Sequence, residues 1–366
     1  MKIKFTNLYK LAPNKIKIFN KIKKNIRENK FIGGKTLNDF SKLFGDLVKT
    51  KYVVPVANGT DALEIALKAL ALPKGSEVIV PVNTWISTAE AVISNSLKVV
   101  FCDINLNDYT ICVNDLKKKI TKKTKCIIPV HLYGNPADMI EINRIAKKNK
   151  IKIIEDCAQA HGSKINNKHV GNFGDIGTFS FFPGKNIGAF GDAGCIITNK
   201  KNLYDYCKRT SNHGALIKYD HKFSGRNSRM DVLNATVIIE KIKKYNFVLR
   251  KRNLLASYYD KKFKNNKNIK IFKLKKNFVY SYHQYVIRVK SKYRNNLINF
   301  LKKNNIDTMI HYPYMLNELK FFQCKTRLKN ANKIGKNILS LPISEEHTKK
   351  EIIHVASKIN VFFNHV

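Results

Sequence analysis

Apolar and polar positions follow two rhythms along this chain. Between residues 52 and 155 short apolar runs recur, each followed by a stretch with apolar residues three and four positions apart. Tyr52–Val56, Glu77–Val80, Lys98–Cys102, Lys125–Val130 and Ile151–Glu155 read as strands. Asp61–Leu72 sets Leu63, Ala66, Leu67 and Leu70 on one helical face, and Trp85–Ser94, Asn114–Ile120 and Asp138–Lys148 read as further helices. Two helices come first, Asn14–Asn29, ending near Gly33 and Gly34, and Thr36–Val48. Short buried strands alternating with helices predict an α/β fold with a mainly parallel sheet covered on both faces.

Beyond Lys185 the rhythm changes. Cys195–Thr198 reads as a strand and the next helix runs to about Arg209. Residues 211–229 are polar and punctuated by glycine, which predicts a long functional loop. One long helix is expected from about Met230 to Phe263, then a strand at Tyr282–Val289 and helices at Arg294–Asn304 and from Thr348. The expected division is a large domain over 1–245 and a smaller C-terminal α+β domain over 246–366.

Composition narrows the class. The hydrophobic fraction of 44% is enough for a core, so disorder is excluded as the main state. No window approaches the roughly 18 uninterrupted apolar residues of a membrane span. No apolar signal core follows the first residues, so a soluble, cytoplasmic protein without a membrane partner is expected. Seven cysteines with no CxxC spacing read as small buried hydrophobes in a reducing compartment, and no spacing supports a metal site. The 68 Lys and Arg against 26 Asp and Glu give a net charge of +42. The lysines are spread along the whole chain, without a basic motif interleaved with aromatics, so no nucleic-acid partner is expected. The charge reads either as compositional drift toward Lys, Asn and Ile or as selection for acidic partners, a diphosphate-bearing substrate among them.

Three segments carry candidate chemistry. Asn58–Leu63 ends a strand, turns at Gly59 and opens a helix at Thr60 and Asp61, which makes either an anion site on free N–H groups or an ordinary N-cap. Lys152–Gln159 sets Asp156 at the carboxyl end of a buried strand, where open α/β sheets bind ligands, with Gln159 three residues on. There the alternative is a helix cap. In Gly177–Gly194 an aromatic strand delivers Ser180 and then Lys185 into a Gly-rich loop. A desolvated lysine there suits bond formation with a carbonyl; otherwise it is one more surface lysine.

Together with Pro81–Trp85, Pro129–Gly134, Glu155–Gly162, Phe179–Asn186, Gly225–Arg229 and Leu341–Ile343, these segments resemble, in order and over the whole chain, the DegT-type sugar aminotransferases. That family depends on pyridoxal 5'-phosphate (PLP) and has the type I fold of aspartate aminotransferase. The resemblance implies that Lys185 bonds to the cofactor aldehyde and shuttles protons, and that Asp156 pairs with the pyridine nitrogen. It implies that Gln159 lies by the ring and that Trp85, the single tryptophan, stacks on it rather than merely packing in the core. Gly59, Thr60, Asp61 and Ser180 would hold the phosphate. Asn227 would reach the phosphate from a second subunit, making an obligatory homodimer with shared active sites. His161, His213, His311 and Tyr312 match positions near the substrate, and Arg229 is expected to be structural. After Pro313 the chain reads Tyr314-Met315-Leu316-Asn317, where many relatives carry a second proline and a histidine.

The implied activity moves an amino group, from L-glutamate by expectation, to a keto group on a nucleotide-diphosphate-linked sugar, at C3 by preference and C4 as the alternative. The product would serve polysaccharide or secondary-metabolite glycosylation. A PLP-dependent sugar dehydratase is less favoured, because such relatives carry histidine at the position of Lys185. A silent regulator is less favoured because Lys185, Asp156 and Gln159 are all present.

Overall fold

The computed structural model describes residues 2–365 apart from 323, 325 and 327. The apolar runs form one seven-stranded sheet from β1 (Tyr52–Val56), β2 (Glu77–Pro81), β3 (Lys98–Cys102), β4 (Thr124–Ile127), β5 (Lys152–Asp156), β6 (Ile176–Ser180) and β7 (Gly194–Thr198). The spatial order is β1-β7-β6-β5-β4-β2-β3. All strands run the same way except β7, which is antiparallel to both neighbours. The connection 181–193 contains no helix that could cross the sheet, so the chain returns directly beside β6.

Strands buried on both faces need a layer on each side. On one face helices Gly59–Ala69 and Ser87–Ser94 bring Ala62, Leu63, Ala66 and Val92 onto Val54, Val80 and Ile196. On the other, Phe40 and Phe44 of helix Gly34–Val48 and Ile238 of helix Val232–Ile242 pack on Phe179 and Cys195. Helix Met139–Lys148 covers Ile79, Ile127 and Ile153 on that same side.

The long helix expected over Met230–Phe263 is two helices, Val232–Ile242 and Tyr245–Phe263. No Gly or Pro marks the break. Tyr245 is drawn under the sheet edge, where its hydroxyl donates to the His161 carbonyl and its ring lies against Gly162. The strand expected over Tyr282–Val289 is confined to Tyr285–Arg288, paired antiparallel with Ile338–Leu341. Around that pair, helices Tyr245–Phe263, Ser291–Lys303 and Lys349–Asn364 bury Leu255, Leu297, Val355 and Ile359. Thr348 and Glu351 cap the last helix reciprocally. Ile3 joins this C-terminal core, its N–H donating to the Asn305 carbonyl at 2.8 Å. Among the described residues no helix is long and apolar enough to cross a membrane.

One buried network holds the middle of the sheet. Glu155 is fully buried, and its carboxylate accepts N–H bonds from Gly171, Phe173 and Gly174 at 2.6–2.8 Å. It also meets His131 Nε2 at 3.0 Å. The Ala137 amide donates to His131 Nδ1, so the proton of the neutral ring sits on Nε2 and points at Glu155. Replacing Glu155 by Ala orphans three amides and an imidazole N–H. The expected loss is about 3–5 kcal/mol, read from urea unfolding of Glu155→Ala. A loss below about 1 kcal/mol would show that the amides find other acceptors.

Candidate active site

At the carboxyl edge of the sheet the chain leaves β1, β2, β5 and β6 in turns that face one another, the place where open α/β sheets receive ligands. They wall a cavity of about 450 Å³, closed on the other side by Phe5, Thr6, His283, Gln284, His311 and Tyr312.

After β1, Asn58 is extended and its side chain accepts the Asp61 N–H at 2.8 Å. The amides of Gly59 and Thr60 donate to no acceptor among the described residues and stand at the positive end of the helix. A Cβ on Gly59 would lie 2.7 Å from the Ser180 Cβ, so only glycine lets this turn meet the end of β6. Thr60 Oγ1 and Ser87 Oγ are 2.7 Å apart and both face the cavity. Asp61 departs from expectation. Its amide is used by the Asn58 cap and its carboxylate pairs with Arg226 at 3.0 Å, so it does not line the cavity.

After β2, Trp85 stands on the rim, 59% exposed, with its ring 5.8 Å from that of Tyr312. It is therefore not core packing. Thr88 reaches into the site and donates to Asp156 Oδ2 at 2.9 Å. Asp156 ends β5, with its other oxygen accepting the Ala158 N–H at 3.1 Å. Burial pushes its carboxyl above the ordinary range, while these two hydrogen bonds and Lys185 pull the other way. No cation among the described residues forms an ion pair with it. Gln159 is held in one orientation, with Oε1 accepting the Tyr133 N–H at 2.7 Å and Nε2 donating to the Tyr312 hydroxyl at 2.9 Å. Burial raises the Tyr312 phenol, which stays neutral.

After β6, Ser180 lines the cavity and the turn delivers Lys185, whose N–H donates to the Phe182 carbonyl at 2.8 Å. Lys185 is half-buried, and desolvation lowers its pKa to about 8, against a smaller upward pull from Asp156. His311 joins from the far wall, with Nδ1 2.9 Å from Ser340 Oγ, and burial with Lys185 nearby lowers it to about 4.

Three other expected site residues stand away from this cavity. His161 is buried among Phe44, Phe179 and Phe181 and does not line the cavity, and burial lowers its pKa to about 3. His213 is exposed on the 211–231 loop, its carbonyl accepting from His221 Nδ1 at 2.7 Å. Asn227 is on the same loop and accepts from Arg229 Nε at 3.0 Å. The structure in turn adds residues that sequence reading missed: Asn58, Thr88, Phe5, Arg252 and His283. Asn58 and Thr88 had a local signal in the N-cap and in the hydroxyl-rich start of a helix. His283 had none, since nothing in the sequence ties it to Lys185.

The cavity can hold an anion on two free amides flanked by hydroxyls. It can hold a protonated ring nitrogen against a buried carboxylate that lacks a cation, and an aldehyde within reach of a readily deprotonated lysine. Those are the three functional ends of PLP, and the residues fit them.

The match to known proteins is extensive. The model of the DegT/DnrJ/EryC1/StrS aminotransferase family covers residues 14–360. The chain is 36% identical over 339 residues to a UDP-N-acetyl-3-dehydro-alpha-D-glucosamine 3-aminotransferase of Acidithiobacillus ferrooxidans, spanning 89% of this chain and 91% of that protein. It is 38% identical over 332 residues to a dTDP-3-amino-3,6-dideoxy-alpha-D-galactopyranose transaminase of Aneurinibacillus thermoaerophilus, over 90% and 91% of the two chains. The crystal structure of NtdA from Bacillus subtilis with bound cofactor PMP superimposes with a TM-score of 0.93 at 30% identity, over 99% of this chain and 85% of that one. The chain thus belongs to the DegT/DnrJ/EryC1/StrS family, as a sugar aminotransferase of fold type I whose cofactor is pyridoxal 5'-phosphate.

Proposed function

We propose that this enzyme transfers the amine of L-glutamate to the 3-keto group of a nucleotide-diphosphate-linked sugar. The observation that carries the reading is the convergence of Lys185, Asp156 and the free amides of Gly59 and Thr60 on one cavity. Position 3 and the nucleotide are supported by the two relatives named above, whose names specify a 3-amino or 3-dehydro sugar on UDP or dTDP. The net charge of +42 favours capture of a diphosphate.

When bound, the cofactor supplies an aldehyde that bonds to amines and a ring that withdraws electrons from the neighbouring carbon. The chain's own residues do the rest. Gly59 and Thr60 N–H groups, with Ser180 and Ser87 hydroxyls, hold the phosphate, and Asp61 acts only through the cap and its ion pair with Arg226. Asp156, fixed by Thr88 and Ala158, keeps the ring nitrogen protonated by its charge. Gln159, clamped by Tyr133 and Tyr312, sets the edge of the ring, and Trp85 covers a face. Lys185 Nζ is the nucleophile and then the carrier that takes and returns the proton at the reacting carbon. Glutamate enters and leaves as the 2-oxo acid before the keto-sugar enters the same cavity. His311 and Tyr312 line the sugar side.

The reading includes a homodimer. In a single chain Trp85 and Phe182 line the cavity and leave ring surface open. Asn227 and His213 sit on a loop outside their own chain's cavity, free to complete a partner's. Residues 1–245 form the cofactor-binding body and 246–366 the smaller one.

Three measurements test this. Lys185 is lowered to about 8, so its neutral fraction should rise through that pH, whereas an ordinary lysine needs pH above about 10. The rate at which apoenzyme captures PLP, followed by visible absorbance, should rise between pH 7 and 9 with a midpoint near 8; a midpoint near 10 contradicts it. Lys185→Ala and Asn227→Ala should each be inactive alone. Mixed as subunits they should regain about a quarter of wild-type activity, since half the dimers then carry one intact site. No recovery refutes the shared site. Against matched 3-keto and 4-keto nucleotide sugars with glutamate, kcat/KM should favour the 3-keto compound by about tenfold or more, with products identified by mass spectrometry; the reverse order assigns C4.

A further inference from the structure

The C-terminal side of the cavity, against the Lys185 turn, carries an imidazole that the reaction described above leaves without a task. His283 follows the short strand Phe278–Val279 and precedes Tyr285–Arg288, and its side chain opens onto the cavity. Its state is set by Asn186, the residue after Lys185. The Asn186 side chain is buried, and its Nδ2 donates to the Ser281 carbonyl at 2.9 Å, with the Tyr245 hydroxyl 3.4 Å away. A carbonyl only accepts, so the amide nitrogen must face Ser281 and the amide oxygen must face the other way. That oxygen lies 3.1 Å from His283 Nδ1. An amide oxygen also only accepts, so Nδ1 carries the hydrogen. The neutral ring then presents the lone pair of Nε2, which has no hydrogen-bond partner among the described residues.

The surroundings keep the ring neutral. Burial is the main cause, and Lys185, Arg252, His311 and His161 all act in the same direction, taking the pKa well below the ordinary histidine value. Arg252 Nη1 donates to the Tyr282 carbonyl at 3.0 Å and anchors the backbone just before the ring. A ring this hard to protonate is a poor proton carrier and remains a good hydrogen-bond acceptor.

We propose that His283 is a specificity-determining residue: its Nε2 accepts a hydrogen bond from a hydroxyl or amide N–H of the sugar seated beside Lys185, in the tautomer that Asn186 imposes. This rests on the sugar aminotransferase reading. It assigns His283 to the sugar half of the reaction rather than to proton transfer.

The test has two readouts. In holoenzyme with 15N-labelled histidine, long-range 1H–15N correlation should show one ring, absent from His283→Gln, as the neutral Nδ1–H tautomer from pH 6 to 8. An Nε2–H tautomer, or a ring that protonates in that range, overturns the proposal. The two half-reactions are then measured separately, glutamate alone by absorbance and the keto-sugar with the aminated enzyme. His283→Phe should lower kcat/KM of the sugar half-reaction about 10- to 100-fold more than that of the glutamate half-reaction. His283→Gln, whose amide oxygen can stand near the Nε2 position, should recover most of that difference. Equal losses in both halves overturn the proposal and mark a structural residue. Failure of wild-type enzyme to react with glutamate would instead overturn glutamate as the donor, independently of the NMR result.

Discussion

Two ionisable side chains share one cavity, buried Asp156 at the end of β5 and half-buried Lys185 in the turn after β6. Burial pushes each toward its neutral form, the carboxyl upward and the amine down to about 8. An enzyme that must present a nucleophilic amine near neutral pH gains from the second shift. The first would be undone by a cationic ring nitrogen held beside Asp156, because an opposite charge at close range favours the carboxylate. The pair would thus couple cofactor binding to ionisation: the molecule whose ring nitrogen would favour ionised Asp156 is the one whose aldehyde Lys185 would reach.

That arrangement depends on the rigidity of its support. Asp156 follows Glu155 on a strand, so the two side chains point to opposite faces of the sheet. Asp156 faces the cavity, while Glu155 ties the Gly171–Gly174 segment and His131 behind it. The amide of Asp156 donates to Pro129 and its carbonyl accepts from His131, which joins β5 to the turn after β4. The polar network behind the sheet therefore fixes the backbone from which the site carboxylate projects.

The C-terminal body contributes the other wall. Arg252, 3% exposed, pairs with Glu345 at 2.9 Å and donates to the Tyr282 and Ile343 carbonyls, gathering three segments at the cavity edge. The N-terminal segment runs past the same edge, with Ile3 held to Asn305 and the Phe5 ring 5.8 Å from that of His311. This wall of the cavity is thus assembled from residues near both ends of the chain, with His283 and Tyr312 between.

The sequence by itself determined the strand-and-helix rhythm, the mainly parallel sheet and the cluster Gly59, Thr60, Asp156, Gln159, Ser180 and Lys185. Gly59 and Thr60 open a helix, Asp156 and Ser180 end buried strands, and Gln159 and Lys185 lie in the turns that follow those strands; such junctions leave local marks in apolar runs, glycines and caps. Tertiary structure alone decided the rest. The reversal of β7, the break before Tyr245 and the burial of His161 follow from packing between segments far apart in sequence. The diversion of Asp61 to Arg226 and the arrival of His283 beside Lys185 have the same origin. No local periodicity encodes such contacts, because their geometry exists only once the sheet, the 211–231 loop and the C-terminal helices have closed on one another.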